Sequence, residues 1–333
     1  MRLEAGQVAV VTGAASGLGR GFAEAFAQRG LDVVLADVEA GPLGDAVEGL
    51  RGPGSAFGVT TDVSSWEQVE ALAAATLDRF GRVDLICNNA GVTTLGPRIW
   101  EVEPRDWEWV LSVNLGGVIN GIRAFVPHLV AQGSGHVVNT ASMAGITVPP
   151  RHGPYLAAKH AVVGLSEALS LELDNAEAGV GVTVVCPGVV QTNIQHAERN
   201  RPDGATGDAT LSLDADEMNE VRAWGATITG PPITAEAAAS IVMDAIEADR
   251  LHVAPNGSLV AVQARIDRLL ADLGADRPSQ VRGRRRTGPG SPRRGPDRRQ
   301  RQRQRDLSLT RIEASPPSVP AASGGGGSRH RGR

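Results

Sequence analysis

The sequence contains one lysine and one tyrosine, Lys159 and Tyr155, although lysine and arginine together number 33. Arginine therefore supplies every other basic side chain. Arginine is a bulky planar cation, whereas lysine is a compact ammonium whose pKa shifts readily. We interpret the pair, which lies four residues apart in "YLAAK", as retained for chemistry that arginine does not perform. The alternative is coincidence, since any composition leaves a last lysine somewhere.

Cysteine and long apolar runs are also scarce. The two cysteines, Cys87 and Cys186, each end an apolar strand-like run. We expect buried, reduced thiols rather than a disulfide, a metal site or a nucleophile, which favours a reducing compartment. No uninterrupted apolar run is long enough to span a membrane, and the N-terminus lacks the apolar region of a signal peptide. We therefore expect a soluble cytoplasmic protein with no membrane partner.

Charge divides the chain near Asp276. Up to that residue there are 17 basic and 34 acidic residues, whereas residues 277–333 carry 16 arginines and three acidic residues, so that net charges of −17 and +13 give the overall −4. The second part is rich in Arg, Pro, Gly and Ser and is predicted to be a disordered basic tail. It has no aromatic residue for base stacking, so we expect a solvated extension and not a nucleic-acid partner.

Apolar, β-branched runs alternate with amphipathic stretches along residues 1–276. Predicted strands lie at 8–13, 32–37, 56–62, 83–88, 135–140, 181–186 and 251–255. Predicted helices lie at 17–29, 66–80, 107–132, 155–175, 235–249 and 258–273. This alternation is typical of an α/β domain with a doubly wound parallel sheet, covered by helices on both faces. Ligands of such sheets bind beyond the carboxyl ends of the strands.

The segment after the first strand, "TGAASGLGR", contains Gly13, Gly17 and Gly19 and opens the first helix. Glycines permit a tight turn and let a pyrophosphate approach the positive end of the helix. Because this turn stands between a first strand and a first helix, we predict that it binds a dinucleotide, with Ser16 and Leu18 in the same turn.

Acidic and amide side chains end the next three strands. Asp37 is placed to accept hydrogen bonds from the ribose hydroxyls and to repel a 2′-phosphate, which favours NAD over NADP as the cofactor. The alternative is that Asp37 is a helix cap or turn former. Asp62 and Val63 either flank an adenine, or Asp62 caps the following helix. Asn89, in "NNAG", supports the cofactor or forms a turn, and the two interpretations are compatible.

Further polar residues follow the later strands. Ser142 follows the fifth strand, and Tyr155 and Lys159 lie one turn apart on one face of the next helix. A phenol loses its proton near pH ~10, and a nearby ammonium lowers that pKa, which makes tyrosine a usable acid or base. Ser142 is predicted to hold the substrate oxygen. Asn114, inside an apolar helix, either bonds a neighbouring carbonyl or disturbs the helix and holds a water.

The sixth strand ends in "CPGVVQTN". Pro187 and Gly188 turn the chain, Val190 lies in the same turn, and Thr192 is placed to meet the nicotinamide carboxamide. The alternative is an ordinary turn in which Thr192 caps the next segment.

In this order and spacing, these motifs strongly resemble the short-chain dehydrogenase/reductase family over residues 5–273. The resemblance implies a single Rossmann-type domain, an NAD(P)(H)-dependent interconversion of alcohol and ketone, and a homodimer or homotetramer. It further implies that Tyr155 is the general acid/base, Ser142 orients and polarises the substrate oxygen, Lys159 lowers the tyrosine pKa and binds the nicotinamide ribose, and Asn114 places a proton-relay water.

In that family the segment after the "PG" turn covers the substrate, so residues 193–232 are predicted to form a mobile lid. Mostly apolar candidate walls favour a hydrophobic secondary alcohol or ketone as the small-molecule partner. They are Met143, Ile146, Val148, Pro149, His152, Val189 and Trp224. We expect His152 to be a loop residue and not a second catalyst. The rival hypotheses are a dinucleotide-binding regulator without turnover and nucleic-acid association through the tail.

Overall fold

The computed structural model describes residues 1–94, 96, 98–202 and 215–274. Within these residues, seven strands form one sheet: β1 (Val8–Thr12), β2 (Asp32–Asp37), β3 (Ala56–Thr60), β4 (Leu85–Asn88), β5 (Gly135–Thr140), β6 (Val180–Val185) and β7 (His252–Val253). Their spatial order is β3-β2-β1-β4-β5-β6-β7, and every neighbouring pair is parallel. The order reverses between β1 and β4, where ligands of doubly wound sheets bind. The predicted fold class, a Rossmann-type parallel sheet, is confirmed.

Helices cover both faces of the sheet. They are α1 (Gly17–Gln28), α2 (Ala40–Gly49), α3 (Trp66–Phe80), α4 (Pro104–Leu111), α5 (Gly117–Gln132), α6 (Gly153–Asn175), α7 (Ala215–Ile228), α8 (Ala235–Glu247) and α9 (Leu259–Asp272). Phe22 of α1 and Met243 of α8 belong to the buried cluster on one face. Leu72 of α3 and Phe125 of α5 belong to the cluster on the other face. Both clusters are apolar, as the near-continuous β-branched strands predict, although a few polar side chains such as His136 and Asn139 are buried in the sheet as well.

The structure differs from the sequence-based expectation in three helical regions. Helix α2 was not predicted, because Gly41, Pro42 and Gly44 are poor helix formers, but Pro42 lies in the first turn, where its missing N–H is not needed. The predicted helix 107–132 begins earlier and is interrupted by a π-turn at Ser112–Gly116. Helix α7 lies inside the predicted lid. Residues 203–214 of that lid, the predicted boundary near Asp276 and the tail at 277–333 lie outside the described residues.

The helical stretch Pro104–Gln132 is the single one in the described part of the chain that is long and apolar enough to cross a membrane. However, 56% of its most apolar 18-residue window is buried inside the protein. Phe125 and Leu129 lie in the same buried cluster as the strand residue Val137. The apolar character of this stretch is therefore explained by its packing against the sheet.

Both cysteines lie in the interior, as expected from their apolar surroundings. Cys87 and Cys186 are free and buried. Burial raises the pKa of the Cys186 thiol to about 12 and also raises that of the Cys87 thiol well above its usual range. Neither thiol is therefore a nucleophile near neutral pH.

A buried histidine couples the stability of the sheet to pH. His136 of β5 is fully buried, and its Nε2 lies 2.8 Å from Thr183 Oγ1. The Thr183 hydroxyl itself donates to Arg250 O, at 2.9 Å, so the imidazole is the donor to Thr183. The opposite nitrogen, Nδ1, has no hydrogen-bond partner within the described residues. Burial lowers the His136 pKa from 6.5 to about 4, so the folded protein holds this ring neutral.

The free energy of unfolding should therefore fall in acid. Between about pH 6.5 and pH 4 the unfolded chain binds a proton that the folded protein excludes, so stability is lost as the pH drops through this window. We expect His136 to contribute a loss of about 2 kcal/mol between pH 7 and pH 5. Denaturant unfolding of wild type and His136→Gln at both values measures it, since glutamine keeps a donor near Nε2 but does not titrate. Equal losses in the two proteins would contradict the assignment.

Candidate active site

The glycine-rich turn between β1 and α1 is built by close backbone contacts. Gly13 and Gly17 adopt left-handed φ values of 65° and 55°. A Cβ at Gly19 would lie 2.1 Å from Gly13 O and 2.6 Å from Asn89 Nδ2, so a side chain there would push the turn away from the loop after β4. The N-cap of α1 is Ser16, whose side chain makes no capping hydrogen bond. The amino end of α1 therefore faces the cavity with its N–H groups available to an anion.

The carboxylate of Asp37 joins the end of β2 to this turn. Its Oδ2 accepts a hydrogen bond from Ala15 N at 3.0 Å, and its Oδ1 accepts one from Glu39 N at 3.1 Å. Asp37 is thus a turn former, as the alternative interpretation held. A carboxylate has about four acceptor positions, so these two bonds leave capacity for ribose hydroxyls.

Residues after β3 and β4 hold two loops against the cavity. Asp62 Oδ1 accepts from Ser64 N at 2.9 Å, which is a local turn, whereas the cap of α3 is Ser65. The Val63 carbonyl accepts from Asn120 Nδ2 at 2.9 Å. Asn89 Nδ2 donates to Thr12 O at 3.0 Å, and Thr12 Oγ1 accepts from Asn89 N at 2.9 Å. Thr12 therefore fixes the "NNAG" loop, a role that the sequence did not reveal.

Asn114 lies within the π-turn between α4 and α5. The turn is marked by a hydrogen bond from Gly117 N to Ser112 O, five residues earlier. The Asn114 side chain accepts from Val92 N and donates to Val92 O, both at 2.8 Å, so its amide is fully buried and paired. Asn114 thus bonds a carbonyl, as one alternative held, and lies in an interrupted helix, whereas the water of the other alternative stays a prediction. A π-turn in a helix is frequently found at a functional site.

Ser142, Tyr155 and Lys159 meet at the carboxyl edge of β5. Ser142 caps a short 3₁₀ turn through a 3.1 Å bond from Ala144 N. Tyr155 lies in the first turn of α6, and its phenol is close enough to the Ser142 side chain for that side chain to influence its pKa. Lys159 is buried, its Nζ donates to Thr140 O at 2.8 Å, and the same nitrogen lies 5.6 Å from the centre of the Tyr155 ring.

Burial dominates the protonation of this group. It raises the pKa of the Tyr155 phenol, and the nearby Ser142 side chain only partly opposes the rise. This direction is opposite to the expected lowering by lysine. Burial also lowers the pKa of Lys159 to about 8, which means that burial makes the charged form of this side chain less favourable. Tyr155 is therefore a neutral phenol near pH 7, the state that can donate a proton.

The turn after β6 closes over the glycine-rich turn. Gly188 N donates to Asn256 Oδ1 at 3.1 Å, and Pro187 O accepts from Met143 N at 3.0 Å. A Cβ at Gly17 would lie 2.9 Å from Thr192 Cβ, so the two turns touch. Thr192 Oγ1 accepts from Ile194 N at 3.5 Å, a distance at the limit for a cap.

These elements enclose one cavity of about 420 Å³. All predicted site residues line it except Gly19 and Asn114, which are buried behind its wall. The lining ones are Gly13, Ser16, Gly17, Leu18, Asp37, Asp62, Val63, Asn89, Ser142, Tyr155, Lys159, Pro187, Gly188, Val190 and Thr192. Of the predicted walls, His152 and Val189 line the cavity as the described residues form it. The others, Met143, Ile146, Val148, Pro149 and Trp224, do not.

Two arginines that the sequence analysis did not identify, Arg199 and Arg201, form ion pairs that bind the first part of the predicted lid to the rest of the protein. Arg199 donates to Glu39, with 2.8 Å between Nη2 and Oε2, and both side chains line the cavity. Arg201 donates to Asp106 Oδ1 at 2.6 Å and lies over the ring of Trp109, a further lining residue, at 4.4 Å. These ion pairs join residues that are about a hundred or more positions apart in the sequence, so no local sequence pattern predicts them.

Comparisons with known proteins all indicate the same family. A sequence model described as short chain dehydrogenase matches residues 7–203. The chain is 31% identical over 275 residues to a CLA biosynthesis dehydrogenase/reductase from Lactiplantibacillus plantarum, an alignment that covers 81% of this chain and 95% of that relative. It is 39% identical over 211 residues to a 1-deoxy-11-beta-hydroxypentalenate dehydrogenase from Streptomyces exfoliatus, covering 62% of this chain and 76% of that relative.

Among solved structures, a short chain dehydrogenase/reductase from Burkholderia phymatum in complex with NAD is 41% identical, with a TM-score of 0.73. The similarity covers 84% of this chain and 99% of that one.

Proposed function

Because this chain belongs to the short-chain dehydrogenase family, whose members are oxidoreductases that use a nicotinamide dinucleotide, we propose that it moves hydride between NAD(H) and a secondary alcohol or ketone. The observation that carries this proposal is the meeting of Ser142, Tyr155 and Lys159 in the cavity that the glycine-rich turn also lines. The substrate oxygen would lie beside the first two, within reach of the cofactor.

The residues that line the cavity are suited to binding a dinucleotide. The left-handed Gly13 and Gly17 and the close contact at Gly19 form a tight turn with no room for a Cβ, and this turn lines the cavity at the amino end of α1. Asp37 lies at the edge of this turn, where the adenosine ribose would bind. When bound, the nicotinamide supplies or accepts the hydride. The protein supplies the binding groups and the proton.

Each polar residue has a proposed role in moving that proton. Tyr155 donates it to the carbonyl oxygen during reduction and accepts it from the alcohol during oxidation, and its raised pKa favours the donor state near neutral pH. Ser142 donates a hydrogen bond to the same oxygen as charge builds there. Lys159 holds the nicotinamide ribose and favours the phenolate. Asn114, paired with Val92, holds the loop beside Lys159 and the water of a proton relay.

NAD is the proposed cofactor because the ribose end of the cavity is acidic. Asp37 and Glu39 both line it. The nearby cations are already paired, Arg199 with Glu39 and Arg20 with Glu24. A 2′-phosphate would therefore meet carboxylates before it met a free guanidinium.

Replacing Asp37 by Asn should reduce the preference for NADH over NADPH. Asparagine keeps an oxygen that can accept the bond from Ala15 N, but its amide nitrogen cannot accept the bond from Glu39 N, so the variant removes the charge and one of the two turn bonds. We expect the ratio of the two dissociation constants to shift by about 10-fold toward NADPH, because one like-charge repulsion near a surface is relieved. Fluorescence titration measures both constants. An unchanged ratio, or a wild type that prefers NADPH, would show that Asp37 does not select the cofactor.

The substrate is proposed to be hydrophobic. Away from the glycine-rich turn, the cavity is lined by Val92, Trp109, Val113, Val189 and Ala197. The Streptomyces exfoliatus relative is named for a hydroxylated pentalenate, which agrees with oxidation of a ring hydroxyl. We further propose that the protein acts in the cytoplasm, and that it is a homodimer or homotetramer, the assembly that the family resemblance implies.

Incubation with NAD and a panel of hydrophobic secondary alcohols tests the proposal, with NADH formation as the readout. Wild type should form NADH with members of the panel, and a Tyr155→Phe variant should not. Formation of NADH at equal rates by both proteins would contradict the proposed site.

A further inference from the structure

His152 stands at the amino end of α6, three residues before Tyr155. It is the N-cap residue of this helix, and its carbonyl accepts a 2.7 Å bond from Leu156 N. Its ring lines the cavity, and the ring centres of His152 and Tyr155 are 6.2 Å apart. The backbone that carries the proposed acid/base therefore also fixes an imidazole beside it.

The contacts of His152 determine which nitrogen carries the proton. Nδ1 lies 2.8 Å from Pro150 O, and a carbonyl only accepts hydrogen bonds, so Nδ1 is the donor. Burial lowers the pKa of the ring, which is therefore neutral near pH 7. In a neutral ring with a proton on Nδ1, the other nitrogen, Nε2, has a free lone pair.

That lone pair is open to the cavity. No described residue donates to His152 Nε2, and the atom is not among the buried polar atoms that lack a partner. It is thus accessible to solvent or ligand, and the residue that carries it lines the cavity. The neighbouring groups Ser142 and Tyr155 are needed at the reacting oxygen, which leaves His152 to meet a second polar group of the substrate.

Resting on the proposed function, we infer that His152 Nε2 accepts a hydrogen bond from a hydroxyl one or two carbons from the reacting carbon of the substrate. One molecule with two oxygens at that spacing would reach both rings, given their 6.2 Å separation. The preferred substrates are therefore hydroxy ketones and the corresponding diols, with an apolar body against Trp109 and Val113. His152 is in this view a specificity residue and takes no part in proton transfer.

A site that hydrogen-bonds a substrate hydroxyl discriminates against analogues that lack it, since its own polar group is then left unpaired. Because Nε2 is a single neutral acceptor, we expect a preference of about 10-fold to 100-fold in kcat/KM. The comparison is between matched ketones: α-hydroxyacetophenone against acetophenone, and 2-hydroxycyclohexanone against cyclohexanone, each reduced with NADH.

Two variants separate the cavity acceptor from the loop bond. His152→Asn places an amide near the position of Nδ1, which keeps the bond to Pro150 O and removes the acceptor from the cavity. His152→Gln places an amide oxygen near the position of Nε2, which keeps the acceptor and loses the loop bond. We expect the hydroxy-ketone preference to fall about 10-fold or more in His152→Asn and to be largely kept in His152→Gln.

Three outcomes are distinguishable. A preference lost in His152→Asn and kept in His152→Gln supports the inference. A wild type that binds NADH but shows no preference in either pair, or a preference that survives in His152→Asn, overturns it. Failure of the wild type to bind NADH, or turnover that Tyr155→Phe leaves intact, contradicts the proposed function itself.

Discussion

The Tyr155→Phe variant should lose turnover by about 100-fold to 10,000-fold while keeping its affinity for NADH, because general acid/base catalysis contributes about that factor. Phenylalanine keeps the ring and removes only the hydroxyl that would exchange the proton with the substrate oxygen. Burial keeps the wild-type phenol protonated, so ketone reduction should proceed near neutral pH and alcohol oxidation should rise as the pH is raised. Steady-state rates and NADH titration of the same preparations measure both effects.

Loss of NADH binding together with turnover would show that the substitution damaged the site as a whole. Turnover close to wild type would remove Tyr155 from its proposed role, and the source of the proton would have to be sought elsewhere in the cavity.

Replacing the lone lysine should weaken both binding and catalysis. In Lys159→Met the stem remains but the ammonium that donates to Thr140 O, at 2.8 Å, is lost. We expect the dissociation constant of NADH to rise by about 10-fold to 100-fold, since hydrogen bonds made by charged groups contribute about 1.5–3 kcal/mol. The value of kcat should fall as well, because the phenolate loses its nearest cation.

Lys159→Arg is the matched control, because it changes the shape of the cation and not its charge. It keeps a positive charge, but Lys159 is 3% exposed and its Nζ already lies 2.8 Å from Thr140 O, which leaves little room for a planar fork. We expect Lys159→Arg to be impaired nearly as much as Lys159→Met. Normal NADH binding in both variants would mean that the lysine was retained by coincidence.

The sheet was predictable because the strands are short, β-branched and buried on both faces, so that residues such as Val10 and Val34 lie in a continuous apolar pattern. The glycine-rich turn and the Tyr155–Lys159 spacing were predictable for a related reason. Both are local in sequence, and their chemistry follows from position relative to a strand end.

Features set by long-range contacts were not predictable. Arg199 meets Glu39 across 160 residues, and nothing near either residue indicates the partner. The rise in the Tyr155 pKa has a similar origin, because its largest cause is burial, which depends on the whole fold. Helix α2 was missed because its glycines hide a helical pattern that tertiary packing of Leu43 and Ala46 stabilises.

Titration of the full-length protein with NADH and NADPH, followed by nicotinamide fluorescence, tests the central claim most directly. We expect saturable binding of NADH, weaker binding of NADPH, and loss of NADH affinity in Lys159→Met. Binding of neither nucleotide would contradict the claim that the cavity beside the glycine-rich turn is a working dinucleotide site.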